Sequence, residues 1–320
     1  MRKVCLFITQ QYEVTVDFLL AALRAREVPC LRWNLDQFPS SSTLSYRAGG
    51  NSFNASILTD GRTLDLGDVA SIWCRGLLPS GFPHGINEAD EKFAKHECQR
   101  ALNGLLSTLS ALWVNHPECN RRANSKPAQL FAAQKIGFHI PPTLITNNPA
   151  EARAFITEPG DTIYKANSPL NVFGSGKMVF TSIVTDAALD KIDLIQLTPG
   201  IFQKLIPKAY EVRATVVGSR IFCAKIDSQA DPETELDWRR KPFNIESTLI
   251  TMPSAVEQKV LELMRLFDIS YGAFDFIVTP DGRYVFLEVN PSGQYLWIEH
   301  ITKLPITEAI VDLLSAGCRA

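Results

Sequence analysis

No C-x-x-C pair occurs in this 320-residue sequence, whose seven cysteines (Cys5, Cys30, Cys74, Cys98, Cys119, Cys223 and Cys318) stand singly and are odd in number. That argues against a disulfide framework and for reduced thiols in a cytoplasmic setting. Long apolar runs are missing too. The basic start Met1-Arg2-Lys3 leads into a short apolar stretch, Val4 to Ile8, and then Gln10, Gln11 and Glu13, too little for a signal peptide. Nothing approaches the roughly 18 apolar residues of a membrane span. Charge is not concentrated: 32 basic and 34 acidic residues give −2, without a long run of either sign, so neither nucleic acid nor a membrane is expected as partner. The five histidines (His84, His96, His116, His139 and His300) have no ligand spacing and read as ordinary core or surface residues. Internal repeats and low-complexity tracts are absent as well.

What is present is length enough for two or three lobes and an alternation of strand and helix patterns. Val4 to Ile8, Val14 to Leu23 and Cys30 to Trp33 predict a β-α-β opening. Phe53 to Leu58 and Thr63 to Leu66 flank Asp60-Gly61, a hairpin turn, and Val69 to Arg75 follows as another strand. A long helix is expected from Glu88 to about Leu112, and a first boundary near residue 116. A helix from about Arg122 to Lys135 is stopped by Ile140-Pro141-Pro142. Leu144 to Thr146 and Thr162 to Ala166 predict strands, with a helix between them capped by Asn147-Asn148-Pro149. Further strands are expected at 201–206, 210–217 and 220–227, and a helix from Ser254 to Phe267. The expected fold class is α/β, built of α+β lobes.

The sharpest pattern is the last hairpin. Tyr271 to Thr279 and Tyr284 to Asn290 read as strands around the turn Pro280-Asp281-Gly282-Arg283. If Thr279 pairs with Tyr284, Asp275 lies opposite Glu288, while Phe274, Phe276, Val278, Val285, Leu287 and Val289 share the apolar face. Asp275, Glu288 and Asn290 then converge as oxygen donors of the kind magnesium takes alongside phosphate oxygens. A solvated polar face is the alternative reading. Lys126, Lys165, Arg213 and Arg239 are candidate cations for phosphates, against the plainer readings of a snorkelling lysine at 165 and an Arg213–Glu211 ion pair.

The order of these pieces resembles the ATP-grasp superfamily over nearly the whole chain, and within it the microviridin-type peptide maturases that make graspetides. The resemblance rests on Ala123-Asn124-Ser125-Lys126, Ile140-Pro141-Pro142-Thr143, Thr146-Asn147-Asn148-Pro149, the run from Phe202 to Arg213, Asp237-Trp238-Arg239, Tyr271 to Asp275 and Phe286 to Pro291. It implies an ATP-grasp fold: an N-terminal lobe at 1–116, then a central lobe at 117–199 and a C-terminal lobe at 200–320 that sandwich ATP. Lys126 and Lys165 would contact ATP phosphates, and Gln203, Lys204, Leu205 and Ile206 would form the adenine hinge, with Gln203 standing where many relatives have Glu. Glu211 would meet the ribose. Arg213 and Arg239 would face the γ-phosphate and an acyl phosphate. Asp275, Glu288 and Asn290 would hold Mg2+, and Gly174-Ser175-Gly176 resembles the flap over the nucleotide, a plain β-turn being the alternative.

The implied activity is that of an ADP-forming ligase. It would join Asp or Glu side chains of a ribosomal precursor peptide to Thr or Ser hydroxyls, or to Lys amines. A leader segment of the precursor would dock on the central lobe, and the resemblance also implies a homodimer. Arg75, Arg239, Arg240 and Lys241 are candidates to meet acidic residues of the peptide. The alternatives are an amino-acid-adding ligase of the ribosomal-protein glutamate ligase type and a nucleotide-binding module without catalysis.

Overall fold

The structure, a computed structural model, describes residues 3–76, 78–167, 180–241 and 245–319. The chain forms two compact units, one of Met1–Asn120 with Ile269–Tyr271 and Pro305–Ala320, the other of Arg121–Asp268 with Gly272–Leu304.

In the first unit β1 (Val4–Thr9), α1 (Val14–Ala25) and β2 (Cys30–Asn34) make the expected β-α-β opening. Cys5 to Ile8 are fully buried because β1 lies inside a parallel sheet, where both strand faces are covered. A separate antiparallel sheet holds β3 (Thr43–Gly49), β4 (Ser52–Thr59) and β5 (Arg62–Asp65). Asp60 and Gly61, at φ of 50° and 68°, form the tight turn between β4 and β5. With β6 (Val69–Cys74), α2 (Glu88–Leu106) and β7 (Leu112–Val114), the parallel sheet has the order β2-β1-β6-β7. The α2 helix is shorter than expected: it ends in a turn at Ser107, and Leu112 belongs to β7. The C-terminal helix Ile306–Arg319, which the pattern reading did not include, packs on this sheet through Ile306, Ile310 and Leu314. Among the described residues no helix is long and apolar enough to cross a membrane.

The helix expected at Arg122–Lys135 is two helices, α3 (Pro117–Ala123) and α4 (Lys126–Ile136). The break falls at Asn124-Ser125, where Ser125 is extended and caps α4 with its carbonyl, and Pro127 suits the first turn. In the second unit follow β8 (Thr143–Thr146), α5 (Pro149–Thr157), β9 (Thr162–Lys165), β10 (Ser182–Ile183), α6 (Asp186–Leu189) and β11 (Gly200–Lys204). The four strands form a sheet of order β10-β9-β11-β8. Phe202, Tyr164 and Leu144 face α5 on one side of it. Gly200 leaves room for the Tyr164 ring, since a Cβ there would lie 2.3 Å from it.

The second sheet of this unit, of order β14-β13-β12-β15-β16, is built from β12 (Tyr210–Val217), β13 (Arg220–Ile226), β14 (Ser247–Leu249), β15 (Tyr271–Val278) and β16 (Tyr284–Asn290). Two helices belong to it. α7 (Ser254–Phe267) buries Val260, Leu263, Met264 and Phe267 at helical spacing, and α8 (Leu296–Thr302) lies against β14.

Candidate active site

On β15 and β16, Asp275 pairs with Glu288 and Ala273 with Asn290, so the three oxygen-bearing side chains share one face. The expected closing pair is different. Tyr284 pairs with Val278, not Thr279, and a bulge between Asp275 and Phe276 shifts the register by one and inserts Leu287. Tyr284 and Phe286 therefore join Phe274, Phe276 and Val289 on the apolar face, while Val285 turns to the carboxylate side. The Phe276 and Phe286 rings lie 5.8 Å apart, and Phe138 stacks on Phe286 at 5.3 Å. Leu287, freed from the core, lines the cavity beside Glu288.

Each carboxylate has its own cation. Arg213 Nη1 donates to both Asp275 oxygens, at 3.0 and 2.8 Å, and Lys126 pairs with Glu288. Glu211 instead pairs with Lys208 at 2.6 Å, so the Arg213–Glu211 ion pair weighed from sequence does not form. Burial pushes the Asp275 carboxyl up, and Arg213 only partly offsets it. Burial acts on Glu288 too, but Lys126, with Arg239 and Lys165 farther off, holds that carboxyl down at about 2.

Lys126 reaches Glu288 because of a residue one helical turn along α4. Gln129, 1% exposed, accepts from Val289 N–H at 3.0 Å and donates to Val289 C=O at 2.8 Å, meeting the open edge of β16 with both ends of its amide. Arg213 is held from another side, by Gln294 C=O at 3.3 Å. Gly293 packs so close that a Cβ would lie 2.7 Å from Arg213 Nη2.

On the central sheet, strand alternation separates Gln203 from Lys204. Gln203 lies on the face with Ile163 and Lys165, and its Oε1 accepts from Lys165 Nζ at 2.9 Å. Burial lowers the Lys165 pKa. Lys204 points the other way, donating to Glu158 C=O, Gly160 C=O and Thr162 Oγ1 at 2.8, 3.2 and 3.1 Å, so only its backbone faces the cavity side. Glu211 is buried with Lys208, and burial raises its pKa.

Arg239 stands on a short helical turn capped by Asp237, whose carboxylate accepts from Arg239 Nε at 2.8 Å and Nη2 at 2.7 Å. Although burial opposes ionisation, this fork holds Asp237 at about 2 and raises Arg239. Lys126, Lys165 and Arg239 come together with Glu288 and Asn290 around a cavity of about 400 Å³, a volume suited to a small-molecule ligand. Lys165, Gln203 and Glu288 also line an adjoining cavity that contains Leu205, Ile206, Glu211 and Asp275. The cations Lys126, Lys165, Arg213 and Arg239 outnumber the carboxylates Asp237, Asp275 and Glu288 by one. A triphosphate carries more negative charge than that excess, and the oxygen donor set of Asp275, Glu288 and Asn290 fits a hard divalent cation, which would offset more of it.

A family model for the MvdD pre-ATP grasp domain matches residues 3–121. Macrocyclase MdnC from Microcystis aeruginosa MRC, solved with precursor peptide MdnA, is 32% identical over 98% of this chain and 99% of its own, with a TM-score of 0.88. The chain belongs to the graspetide-type ATP-grasp ligases. A second member is the Chryseobacterium gregarium RiPP-associated ATP-grasp ligase in complex with ADP, and a leader and core peptide. It is 30% identical to this ligase over 98% of this chain and 97% of its own, with a TM-score of 0.90. ATP-grasp ligase PsnB, at 22% identity, 99% and 98% coverage and a TM-score of 0.79, shares the fold. No curated protein sequence gives a match.

In this ATP-grasp ligase the expected flap, Gly174-Ser175-Gly176, lies outside the described residues. Of the cations proposed for acidic peptide residues, Arg75 lies in the first unit, 4.0 Å from Glu13 and against the Trp73 ring. Arg240 donates to Thr181 C=O, and Lys241 pairs with Asp231 and Glu233. Sequence reasoning missed Gln129 and Lys208. Gln129 had a signal, since a polar residue one turn after Lys126 shares its helix face; Lys208 had none, because a three-residue separation marks neighbours only on a helix and Glu211 lies on β12.

Proposed function

We propose that this ligase is ATP- and magnesium-dependent and cross-links a ribosomally made precursor peptide within itself. An Asp or Glu side chain would be activated as an acyl phosphate and then attacked by a Thr or Ser hydroxyl to give an ester, or by a Lys amine to give an amide, with release of ADP and phosphate. The observation that carries this reading is the face-to-face set of Asp275, Glu288 and Asn290 with Lys126, Lys165, Arg213 and Arg239, all in one unit. The C. gregarium relative's complex with ADP and a leader and core peptide supports both the nucleotide and the peptide substrate.

Asp275, Glu288 and Asn290 would hold magnesium, which when bound supplies charge neutralisation on the phosphoryl group being transferred. Lys126 and Lys165 bind phosphates, and Arg213 and Arg239 stabilise the charge that develops on the transferred group and the acyl phosphate. The backbone of Gln203 to Ile206 meets adenine, and Glu211 meets the ribose. With Arg239 donating to both its oxygens, Asp237 is a poor proton acceptor for the second step.

In this reading the functional lobes are 1–116, 117–199 and 200–320, the last ending in the helix Ile306–Arg319 that belongs to the first compact unit, the leader docks on the central lobe, and the enzyme works in the cytoplasm as a homodimer. The test is to supply ATP, magnesium and a short acidic peptide containing Thr, Ser and Lys, then follow peptide mass and phosphate. Loss of one water per phosphate released supports the proposal. Gain of mass by added amino acids indicates a tail-extending ligase, and nucleotide binding without phosphate release indicates a binding module.

A further inference from the structure

Thr143 closes the Ile140-Pro141-Pro142-Thr143 segment, and nothing in the reading above uses it. It sits on β8 directly opposite Gln203, while Lys165 lies on β9 two residues beyond Ile163, the other partner of Gln203. The three side chains therefore share one face of the sheet and make a chain of hydrogen bonds. Lys165 Nζ donates to Gln203 Oε1 at 2.9 Å, Gln203 Nε2 donates to Thr143 Oγ1 at 2.9 Å, and Thr143 Oγ1 donates to Pro141 C=O at 2.8 Å.

The direction of this chain is set by its ends. An ammonium has donors only, so the amide atom it meets must be the oxygen, and the amide nitrogen must then point at Thr143. A carbonyl is an acceptor only, so the Thr143 proton goes to Pro141 and its lone pairs are left for the Gln203 amide. Gln203 is 4% exposed, so its amide depends on these protein partners.

We propose that Thr143 is a positioning residue: by fixing the Gln203 amide it holds the Lys165 ammonium where it meets a bound nucleotide. The proposal rests on the reading that Lys165 contacts ATP phosphates. Its logic is that of an outer residue orienting the group that touches the ligand, as around metal sites, where loss of the outer partner costs about 10–100-fold in metal affinity or activity.

The experiment measures the Kd for ATP with magnesium by calorimetry on the full chain, for wild type, Thr143→Val, Thr143→Ser, Gln203→Leu and the Thr143→Val, Gln203→Leu double variant, with thermal melts recorded alongside. Thr143→Val keeps the shape and removes the acceptor, and is expected to weaken ATP binding about tenfold. Thr143→Ser is expected to restore near-wild-type affinity. In the Gln203→Leu background Thr143→Val should cost nothing further, a non-additivity that a general loss of stability does not produce. Wild-type affinity in Thr143→Val, or the same loss with and without Gln203, overturns the proposal while leaving the ligase reading in place. Failure of the wild-type chain to bind ATP overturns the ligase reading, and this proposal with it.

Discussion

Asp275 and Glu288 lie opposite each other on neighbouring strands, yet their carboxyls are driven apart: burial pushes Asp275 up, while Lys126 holds Glu288 at about 2. Two like charges on one face are tolerated because Arg213 and Lys126 each take one of them.

The pH dependence of turnover follows. In the proposed reading both carboxylates are ionised to hold a cation, and Glu288, held at about 2, is the later of the two to take up a proton. Of the two, Asp275 takes up a proton first as pH falls, and its protonation contributes to the acid limb of kcat/KM. A pH–rate profile should show that limb above the ordinary aspartate value of 3.8. A profile that stays flat down to that value contradicts the assignment.

Gln129→Leu removes both bonds to Val289 and leaves a backbone donor and acceptor buried at the edge of β16. The expected cost is about 2–4 kcal/mol in urea unfolding. Lys126 would also lose its fixed place beside Glu288, so kcat should fall by more than the unfolded fraction explains. Unchanged stability and kcat would count against Gln129 as the link between α4 and β16.

Lys204→Met tests side chain against backbone in the hinge. Its ammonium serves Glu158, Gly160 and Thr162, away from the cavity, so the variant should lose about 1–3 kcal/mol of stability with KM for ATP little changed. A large rise in KM without loss of stability would mean that the side chain reaches the nucleotide.

Asp237 links stability to pH. Its folded pKa of about 2 lies below the ordinary 3.8, so the stabilisation is present above 3.8 and is lost as pH falls through about 2. Because Arg239 is part-exposed, the effect is discounted to about 1–2 kcal/mol. Asp237→Asn should be less stable than wild type by that amount at neutral pH, and the difference should vanish in strong acid. A constant difference across pH would assign the effect to packing.

Much of this was legible in the residues, and the exceptions have physical reasons. The β15–β16 hairpin is marked by its Pro-Asp-Gly turn and by alternation. The bulge at Leu287 is not marked, because Val285, Phe286 and Leu287 are all apolar and fit either face; the Asp275–Glu288 pair was reached from a closing pair one residue off. The break between α3 and α4 was marked by Asn124-Ser125 and Pro127, a cap followed by a first-turn proline, and went unread. Strand β3 has little alternation to read, since most of it is exposed on both faces. The C-terminal helix was legible in the spacing of Ile306, Ile310 and Leu314 and went unread. Which cations meet Asp275 and Glu288 was not legible, because those pairs join residues 62 and 162 positions apart.

The central claim is that the Asp275 and Glu288 face serves ATP-driven cross-linking of a peptide. The most direct measurement compares wild type with the Asp275→Asn, Glu288→Gln double variant on one acidic precursor peptide with ATP and magnesium, reading peptide mass and phosphate together and checking the fold by circular dichroism. The account predicts loss of water matched to phosphate release in the wild type, and a drop of at least about a hundredfold in both for a folded double variant. Near-wild-type turnover in the double variant contradicts it.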